Sequence, residues 1–317
     1  MRTATQTNNM TAGVETWAPD EAAGRIRRTG GVYGGSGAEG LRLASAELSF
    51  SNGEGLPGSV MARGVPVLLD GLDEEAFPRA AEAAEAGVVA ALGLPVFDED
   101  RLVSVVTFLF RGGPGFVGGV ELWAGQRGRF ELGLSNAYHS GLDRFARLSK
   151  HVNFPMGSGL PGFVWENKCP KVVNNLAGSA GFLRSSGAET AGLAAAVGFP
   201  VCFQNELRAV MLWLSAAATP LARLQEAWIS GDGDGDGLAF GGGGALGVPG
   251  MIDPEARASS IPAVAAAASS RRPVLVDDPA QLGAFRAEAA RAQGVTAGVA
   301  LPVLVLGKLR AVCLLAW

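Results

Sequence analysis

The feature of the sequence that most constrains its fold is an internal repeat of about 100 residues. The segments GEGLPGSV (53–60) and GSGLPGFVW (157–165) share the pattern G-x-G-L-P-G, and their prolines lie 104 residues apart. Tryptophan recurs at nearly the same interval, in VETWAP, VELWAG and QEAWIS, at Trp17, Trp123 and Trp228. Self-similarity at a fixed period is typical of several copies of one structural unit joined in tandem.

The later part of the unit occurs three times. In each copy an arginine, a glycine and a proline follow one another at intervals of eight residues: Arg79, Gly87 and Pro95; Arg184, Gly192 and Pro200; Arg286, Gly294 and Pro302. These landmarks predict three units, at 13–113, 118–218 and 224–317, after a disordered tail over 1–12. The third unit has a glycine-rich first hairpin, and Ile261-Pro262-Ala263 replaces the G-x-G-L-P-G motif without its glycines. We therefore expect unit 3 to be divergent or incomplete.

The second copy predicts the order of elements in one unit. GVELWAG and RFELGLSNAY alternate as the two strands of a hairpin do, and LDRFARLSKHV carries apolar residues at helical spacing. The motif predicts a turn into a short helix, because its glycines permit unusual backbone angles and its proline suits a first helical turn. A helix ending near Gly192 and two strands joined by a turn at 204–206 follow. The fold class is therefore α+β, an antiparallel sheet of five to six strands flanked by helices in each unit.

Composition excludes several classes of protein. A hydrophobic fraction of 48% with 18% charged residues is typical of a packed globular chain. The 26 basic and 30 acidic residues give a net charge of −4 without a basic stripe, so no nucleic acid partner is predicted. The apolar stretches are about ten residues long and contain proline, too short to cross a membrane. Three widely separated cysteines and no secretory signal favour a reducing compartment, and we expect a cytoplasmic protein.

The unit resembles a GAF domain. The G-x-G-L-P-G motif, a proline-led strand ending at Asp70, Asn174 or Asp277, and the pattern A-x-x-x-G-L-x-x-x-x-G-x-P-V carry this resemblance over nearly the whole chain after residue 13. The joint between units 2 and 3, at 213–228, resembles that of bacterial tandem GAF proteins. The resemblance implies a small-molecule pocket between sheet and loops, or a dimerisation module, that regulates an output domain. No output domain follows in this sequence, which leaves open a fragment of a longer protein.

Unit 2 is the predicted binding unit, because its landmarks are intact and its aromatic residues are numerous. The candidate pocket residues are Trp165, Asn174, Phe182, Arg184 and Trp213. Each has an ordinary structural alternative, since aromatic residues at these spacings also pack cores. Arg79, Arg184 and Arg286 each precede a predicted helix, where they could contact an anionic ligand or form an ion pair or helix cap. The residues indicate no particular cofactor or ligand.

No residue is predicted to be catalytic or to bind a metal. The aspartates of 232–236 match the first half of a calcium loop, but Gly243 stands where the bidentate acidic ligand belongs. Cys169 precedes a proline and lies in the region where bilin-binding relatives place chromophores, but it lacks the adjoining histidine and the surrounding motif of that group. His139 and His151 have no partner at triad or metal spacing and are expected at the surface.

The sequence thus predicts a non-enzymatic sensory or signalling protein whose units bind a small molecule or mediate association. The partner would be a second copy or another signalling protein. Two alternatives remain open. One is a redox enzyme like the free methionine sulfoxide reductases, which share this fold, although Cys169, Cys202 and Cys313 do not reproduce their cysteine set. The other is a structural module that binds nothing, which the absence of an enclosed cavity in unit 2 would favour.

Overall fold

The computed structural model describes residues 9–35, 37–126, 128–231 and 237–317. Over these ranges the chain forms three antiparallel sheets, of six, six and five strands, with short helices. The α+β class predicted from the sequence is confirmed. The sequence predicts a disordered tail over residues 1–12. In the structure residues 9–12 are buried and Thr11 begins the first strand, so these four residues belong to the folded unit. The remainder of that tail and the aspartates of 232–236 lie outside the described residues.

Unit 1 contains six strands and three helices, and its sheet has the order β3-β2-β1-β6-β5-β4. Its elements are β1 Thr11–Asp20, β2 Arg25–Tyr33, α1 Ala38–Ser45, β3 Ser49–Ser51, α2 Gly55–Arg63, β4 Val67–Asp70, α3 Ala80–Glu85, β5 Val88–Asp98 and β6 Arg101–Arg111.

Unit 2 repeats this plan with the order β10-β11-β12-β7-β8-β9. Its elements are β7 Gly118–Gly125, β8 Glu131–Ser140, α4 Asp143–Ser149, β9 Phe154–Pro155, α5 Gly159–Asn167, β10 Lys171–Asn174, α6 Ser185–Thr190, β11 Leu193–Phe203 and β12 Glu206–Ala216. The turn predicted between the last two strands is confirmed.

Unit 3 has the sheet order β14-β13-β17-β16-β15. Its elements are β13 Leu224–Ser230, β14 Leu238–Ala245, α7 Pro262–Ser270, β15 Val274–Val276, α8 Ala287–Ala292, β16 Gly298–Val305 and β17 Lys308–Ala316. Residues 246–261, all of them described, contain only the 3₁₀ turn Ala258–Ser260 where the other units have a helix and a third short strand. Unit 3 is therefore divergent at this point, but four strand pairings join its five described strands into one sheet. Among the described residues the longest helices have nine residues, and none could cross a membrane.

The repeated motif begins a helix at its second glycine. Gly159 has φ of +61°, and a Cβ on it would lie 2.8 Å from the ring of Phe154. Glycine is required because both the backbone angle and the close approach exclude a side chain. In unit 3 the corresponding helix begins at Pro262. The segment at 261–263 does replace the motif, but Pro262 takes the place of the glycine and not of Pro161, as the equal lengths of α5 and α7 show.

Each unit has its own apolar core on the helical side of its sheet, around Trp17, Trp123 and Trp228. Along β12 the buried side chains alternate between two cores. Val210 and Leu212 belong to the core of unit 2, whereas Met211 and Trp213 belong to a fourth cluster. This shared core contains residues of all three units, because the second faces of the three sheets pack against one another. The chain is therefore more than three units that each fold around a separate centre.

The edges of the sheets join the units in cyclic order. Strand β4 of unit 1 contacts β8 of unit 2, β10 contacts β14 of unit 3, and β15 returns to β2 of unit 1. Asn136 donates a hydrogen bond from Nδ2 to the carbonyl oxygen of Leu68 at 3.0 Å, and Leu275 packs at Gly30. One kind of contact repeated three times thus closes the chain into a ring with approximate threefold symmetry.

Candidate functional site

The five candidate pocket residues of unit 2 do not form one cluster. Phe182 and Arg184 are buried on the helical side of the sheet, and Trp165 packs partly buried against the same core. Trp213 lies on the opposite face in the shared core. Asn174 is exposed at the sheet edge, where its amide donates a hydrogen bond to the carbonyl oxygen of Gly243 in unit 3. The structure brings three of the five together and separates the other two.

Arg184 forms a buried ion pair beneath the helices of unit 2. It lies immediately before α6, and its side chain is 3% exposed. Nη1 and Nη2 donate to the two carboxylate oxygens of Glu121 at 2.7 and 2.8 Å, a bidentate arrangement of the strong kind. The guanidinium also lies over the ring of Phe145, 4.6 Å from its centroid. Both terminal nitrogens of Arg184 are therefore engaged by the carboxylate, while its Nε is buried without a hydrogen-bond partner among the described residues.

Glu121 is held as an anion by several donors. Besides Arg184, its oxygens accept from the hydroxyl of Ser149 at 2.6 Å and from Nε1 of Trp123 at 3.1 Å, and His139 Nε2 lies at 3.2 Å. Complete burial raises the pKa of Glu121, but the charge of Arg184 and the hydrogen bonds outweigh burial and hold this pKa at about 2. The side chain of His139 is only 11% exposed, so the expected surface position was wrong.

The same pair occurs in the other two units. Arg79 contacts Glu15 at 2.5 and 3.2 Å in unit 1, and Arg286 contacts Glu226 at 2.5 and 3.0 Å in unit 3. All four side chains are at most 3% exposed. Of the two roles predicted for the arginines, the fold-stabilising ion pair is the one observed in every unit.

The polar groups around the pair differ between units in a way that compensates for the missing helix. Ser45 of α1 and Ser149 of α4 each accept a hydrogen bond from the arginine. No such helix occurs among the described residues of unit 3, and there Arg286 donates to the carbonyl oxygens of Met251 at 2.8 Å and Leu282 at 2.6 Å. Backbone oxygens thus replace the serine hydroxyl, which keeps the buried guanidinium satisfied.

The glutamates are the residues that sequence reasoning missed. Each stands two positions before the repeated tryptophan, in the segments VETWAP, VELWAG and QEAWIS. The pattern E-x-W at the repeat interval was the available signal. A charged residue repeated inside an otherwise apolar strand indicates a buried partner, and the repeated arginine was the matching cation.

The three cysteines are buried thiols. Burial raises the pKa of Cys202 to about 11 and that of Cys313 to about 12. A thiolate nucleophile requires a lowered pKa, so these two environments do not activate the sulfur atoms. Within the described ranges, no three acidic, histidine or cysteine side chains are grouped as metal ligands.

Cavities lie between units in the described part of the chain. A small one of about 20 Å³ is in the shared core beside Pro95, Pro200 and Pro302. A larger one of about 420 Å³ lies between unit 1 and unit 3.

No family model matches the sequence, and no curated protein matches it either. Solved structures that resemble the chain include several GAF domains. The GAF domain of the A. aeolicus nlh2 protein in an inactive state is 20% identical over 32% of this chain, with a TM-score of 0.25. The match spans 58% of that structure's own chain.

Two other solved structures are similar to about one third of this chain. The NreA protein of Staphylococcus aureus, mutated in its nitrate binding site, is 18% identical over 34% of this chain and 79% of its own, with a TM-score of 0.27. A type II free methionine-R-sulfoxide reductase from Thermoplasma acidophilum is 15% identical over 33% of this chain and 64% of its own, with a TM-score of 0.25. Each similarity covers about the length of one unit.

Proposed function

We propose that the protein is a non-enzymatic regulatory protein of the sensory or scaffolding kind, in which three GAF-like units act as one body. The observation that carries this proposal is the buried ion pair of every unit. Arg79, Arg184 and Arg286 are each bonded to a glutamate among core side chains, so the protein's own groups fill the helical side of each sheet. Binding is then left to the junctions between units and to the outer surface.

A regulatory role requires that a ligand or partner binds two arrangements of the units with different affinity. The shared core and the cyclic edge contacts provide the coupling, because a shift of one unit changes its contacts with both neighbours. Protein association, with a second copy or a signalling partner, would use the same coupling.

The redox alternative is less well supported by the thiol environments. Cys202 and Cys313 are buried, and burial raises the pKa of both thiols. Replacement of Cys169, Cys202 and Cys313 by serine in one variant tests this directly. Thiol-dependent reduction of free methionine sulfoxide by the wild type, abolished in that variant, would establish the enzyme and refute the proposal.

Native mass spectrometry of freshly purified full-length chain tests the regulatory proposal. We expect a co-purified small molecule, a dimer, or both. A bare monomer without reductase turnover would favour the structural module that binds nothing.

A further inference from the structure

The helical side of unit 2 carries large apolar side chains that are exposed to solvent. Phe130 is 93% exposed, and three others are 45–59% exposed: Leu148, Met156 and Leu183. The corresponding positions of unit 1 hold none of this kind, but Gly24, Ala44, Asn52 and Pro78. The fold of a unit therefore does not require these exposed apolar residues, and a contiguous group of them marks an interaction surface.

The four side chains lie on adjoining elements. Met156 follows the β9 residue that pairs with the first residue of β8, so it stands opposite Phe130 at the edge of the sheet. Leu183 packs at the first residue of α5, and Leu148 of α4 packs at a glycine in α6. Together they form one surface that extends from the sheet edge to the helices.

Basic side chains lie beside Leu148 on this surface. Arg144 and Arg147 are three residues apart on α4, and Lys150 follows at the same interval, so the three project from one side of the helix. All three are exposed, and none forms an ion pair within the described part of the chain. We call these three residues and the four exposed apolar residues the basic face.

The equivalent surface of unit 1 is acidic. Glu82 and Glu85 lie on α3, and the exposed run Asp73-Glu74-Glu75 lies in the loop before it. None of the five carboxylates is paired with a described cation. Unit 2 has uncharged residues in place of the two helical glutamates, Gly187 and Thr190. We call the five acidic residues the acidic face.

Helices α1 and α4 differ in the same direction. Gly40 lies five residues before Ser45, as Arg144 lies five residues before Ser149, and the two serines contact the buried arginines in the same way. A Cβ on Gly40 would lie 3.9 Å from the carboxylate of Glu85. The place that carries a positive charge in unit 2 thus lies beside a negative charge in unit 1.

A second copy of this chain accounts for both faces. An anionic membrane would also attract a basic surface with exposed apolar residues, but it would leave the acidic face unexplained. Protein interfaces are enriched in aromatic residues, methionine and arginine, all of which the basic face contains. Opposite charges on two facing surfaces then favour the correct partner and orientation.

We propose that the basic face of unit 2 in one copy docks on the acidic face of unit 1 in a second copy. Because this contact joins two different surfaces, each pair of copies keeps one free face of each kind, and association continues until a ring closes. The inference rests on the proposed regulatory function, since it names the partner and the surfaces for protein association.

Two double variants of the full-length protein test the contact by light scattering and native mass spectrometry. Arg144→Glu with Arg147→Glu reverses the basic face, and Glu82→Lys with Glu85→Lys reverses the acidic face. Each variant alone should be monomeric, because a copy then presents two faces of the same sign. An equimolar mixture of the two should associate as the wild type does, a result that misfolding of either variant cannot produce.

Three further measurements serve as controls. Arg257→Glu with Arg291→Glu makes the same change in net charge at exposed positions of unit 3 and should leave association unchanged. Raising the salt concentration from about 0.1 M to about 1 M should weaken wild-type association about tenfold or more, because the screening length falls from about 10 Å to about 3 Å. Leu148→Gln with Leu183→Gln should weaken association at both salt concentrations.

The inference is overturned if the wild type stays monomeric at high micromolar concentration, if the mixture of variants does not associate, or if the unit 3 control is monomeric. It is also overturned if a wild-type monomer binds phosphatidylserine vesicles through Arg144 and Arg147, since the basic face would then be a lipid surface. Failure of the regulatory proposal would look different. A monomer with a co-purified small molecule would remove only the contact proposed here, whereas a bare monomer would remove both.

Discussion

Replacement of Arg184 by methionine should destabilise the whole protein strongly. The change keeps most of the side-chain volume but leaves the carboxylate of Glu121, which is fully buried, without its cation. Trp123, Ser149 and His139 remain as its hydrogen-bond partners. Removal of one member of a buried ion pair typically costs about 3–5 kcal/mol, because the remaining charge is then uncompensated.

The lowered pKa of Glu121 reflects the same interaction. Burial raises this pKa, but Arg184 and the hydrogen bonds lower it from the ordinary value of 4.5 to about 2. A difference of that size corresponds to roughly 3 kcal/mol of stability. Because the folded-state pKa is the lower one, this contribution is fully present above pH 4.5 and is lost as the pH falls towards 2.

Urea unfolding monitored by tryptophan fluorescence provides the assay. At pH 7 we expect Arg184→Met to lower the free energy of unfolding by about 3–5 kcal/mol. In the variant the charge of Arg184 no longer offsets burial, so the pKa of the Glu121 carboxyl should rise in the folded state. The difference from the wild type should therefore narrow between pH 6 and pH 3.

Two controls sharpen this experiment. Arg101→Met removes an exposed ion pair with Glu21 and should leave the unfolding curve unchanged. Glu121→Leu combined with Arg184→Met replaces both charges by apolar groups and should recover most of the lost stability. A cost below about 1 kcal/mol for Arg184→Met alone, or a difference from the wild type that is constant from pH 6 to pH 3, would refute the reasoning.

Three further predictions follow from burial. Trp213→Ala removes the ring that contacts Phe108 of unit 1 edge to face, with ring centroids 4.7 Å apart. It should lower the free energy of unfolding in urea by about 3–5 kcal/mol. An unchanged free energy of unfolding would mean that the shared core does not hold the units together. Residues 118–218 expressed alone should aggregate, as measured by light scattering, because the face that carries Trp213 loses its cover; a stable monomer would contradict this. Cys202 and Cys313 should react slowly with a thiol reagent at pH 8 in the folded protein and rapidly in urea, because burial raises the pKa of both thiols. Fast labelling of the folded protein would show that the two thiols are accessible.

The elements of one unit could be predicted from the sequence because their signals are local. The hairpin turn at 204–206 is bounded by two apolar strands, and the motif at 157–162 carries the glycine and proline that a tight entry into a helix requires. The repeat then extended each local prediction to the other units. The partner of Arg184 was missed because Glu121 lies 63 residues away, where only the repetition of both residues in all three units connects them and no local pattern does.

The side of the sheet on which Trp213 lies could not be predicted for a different reason. Residues 209–216 of β12 are all buried, so the strand shows no alternation between apolar and polar residues that would distinguish its two faces. The candidate pocket therefore combined Phe182 from one face with Trp213 from the other.

This loss of alternation is also the strongest sequence evidence for the ring. A strand that is apolar on both faces must be buried on both faces, and the helices of a unit bury only one of them. The second face of each sheet is buried against the other two sheets, which is why the shared core contains residues from all three units. Each unit contacts the next one head to tail. Such contacts close into a ring of three units when each contact rotates the next unit by about a third of a turn.

A ring built from three identical chains would have three identical junctions. Because one chain contains all three units here, the junctions have been free to differ, and they do so at the same position: Tyr138 fills one, the backbone at Gly244 receives Asn174 in another, and Val32 leaves the last open. The divergence of unit 3, which lacks a helix and a short strand among its described residues, has not disturbed its buried Arg286 and Glu226 pair.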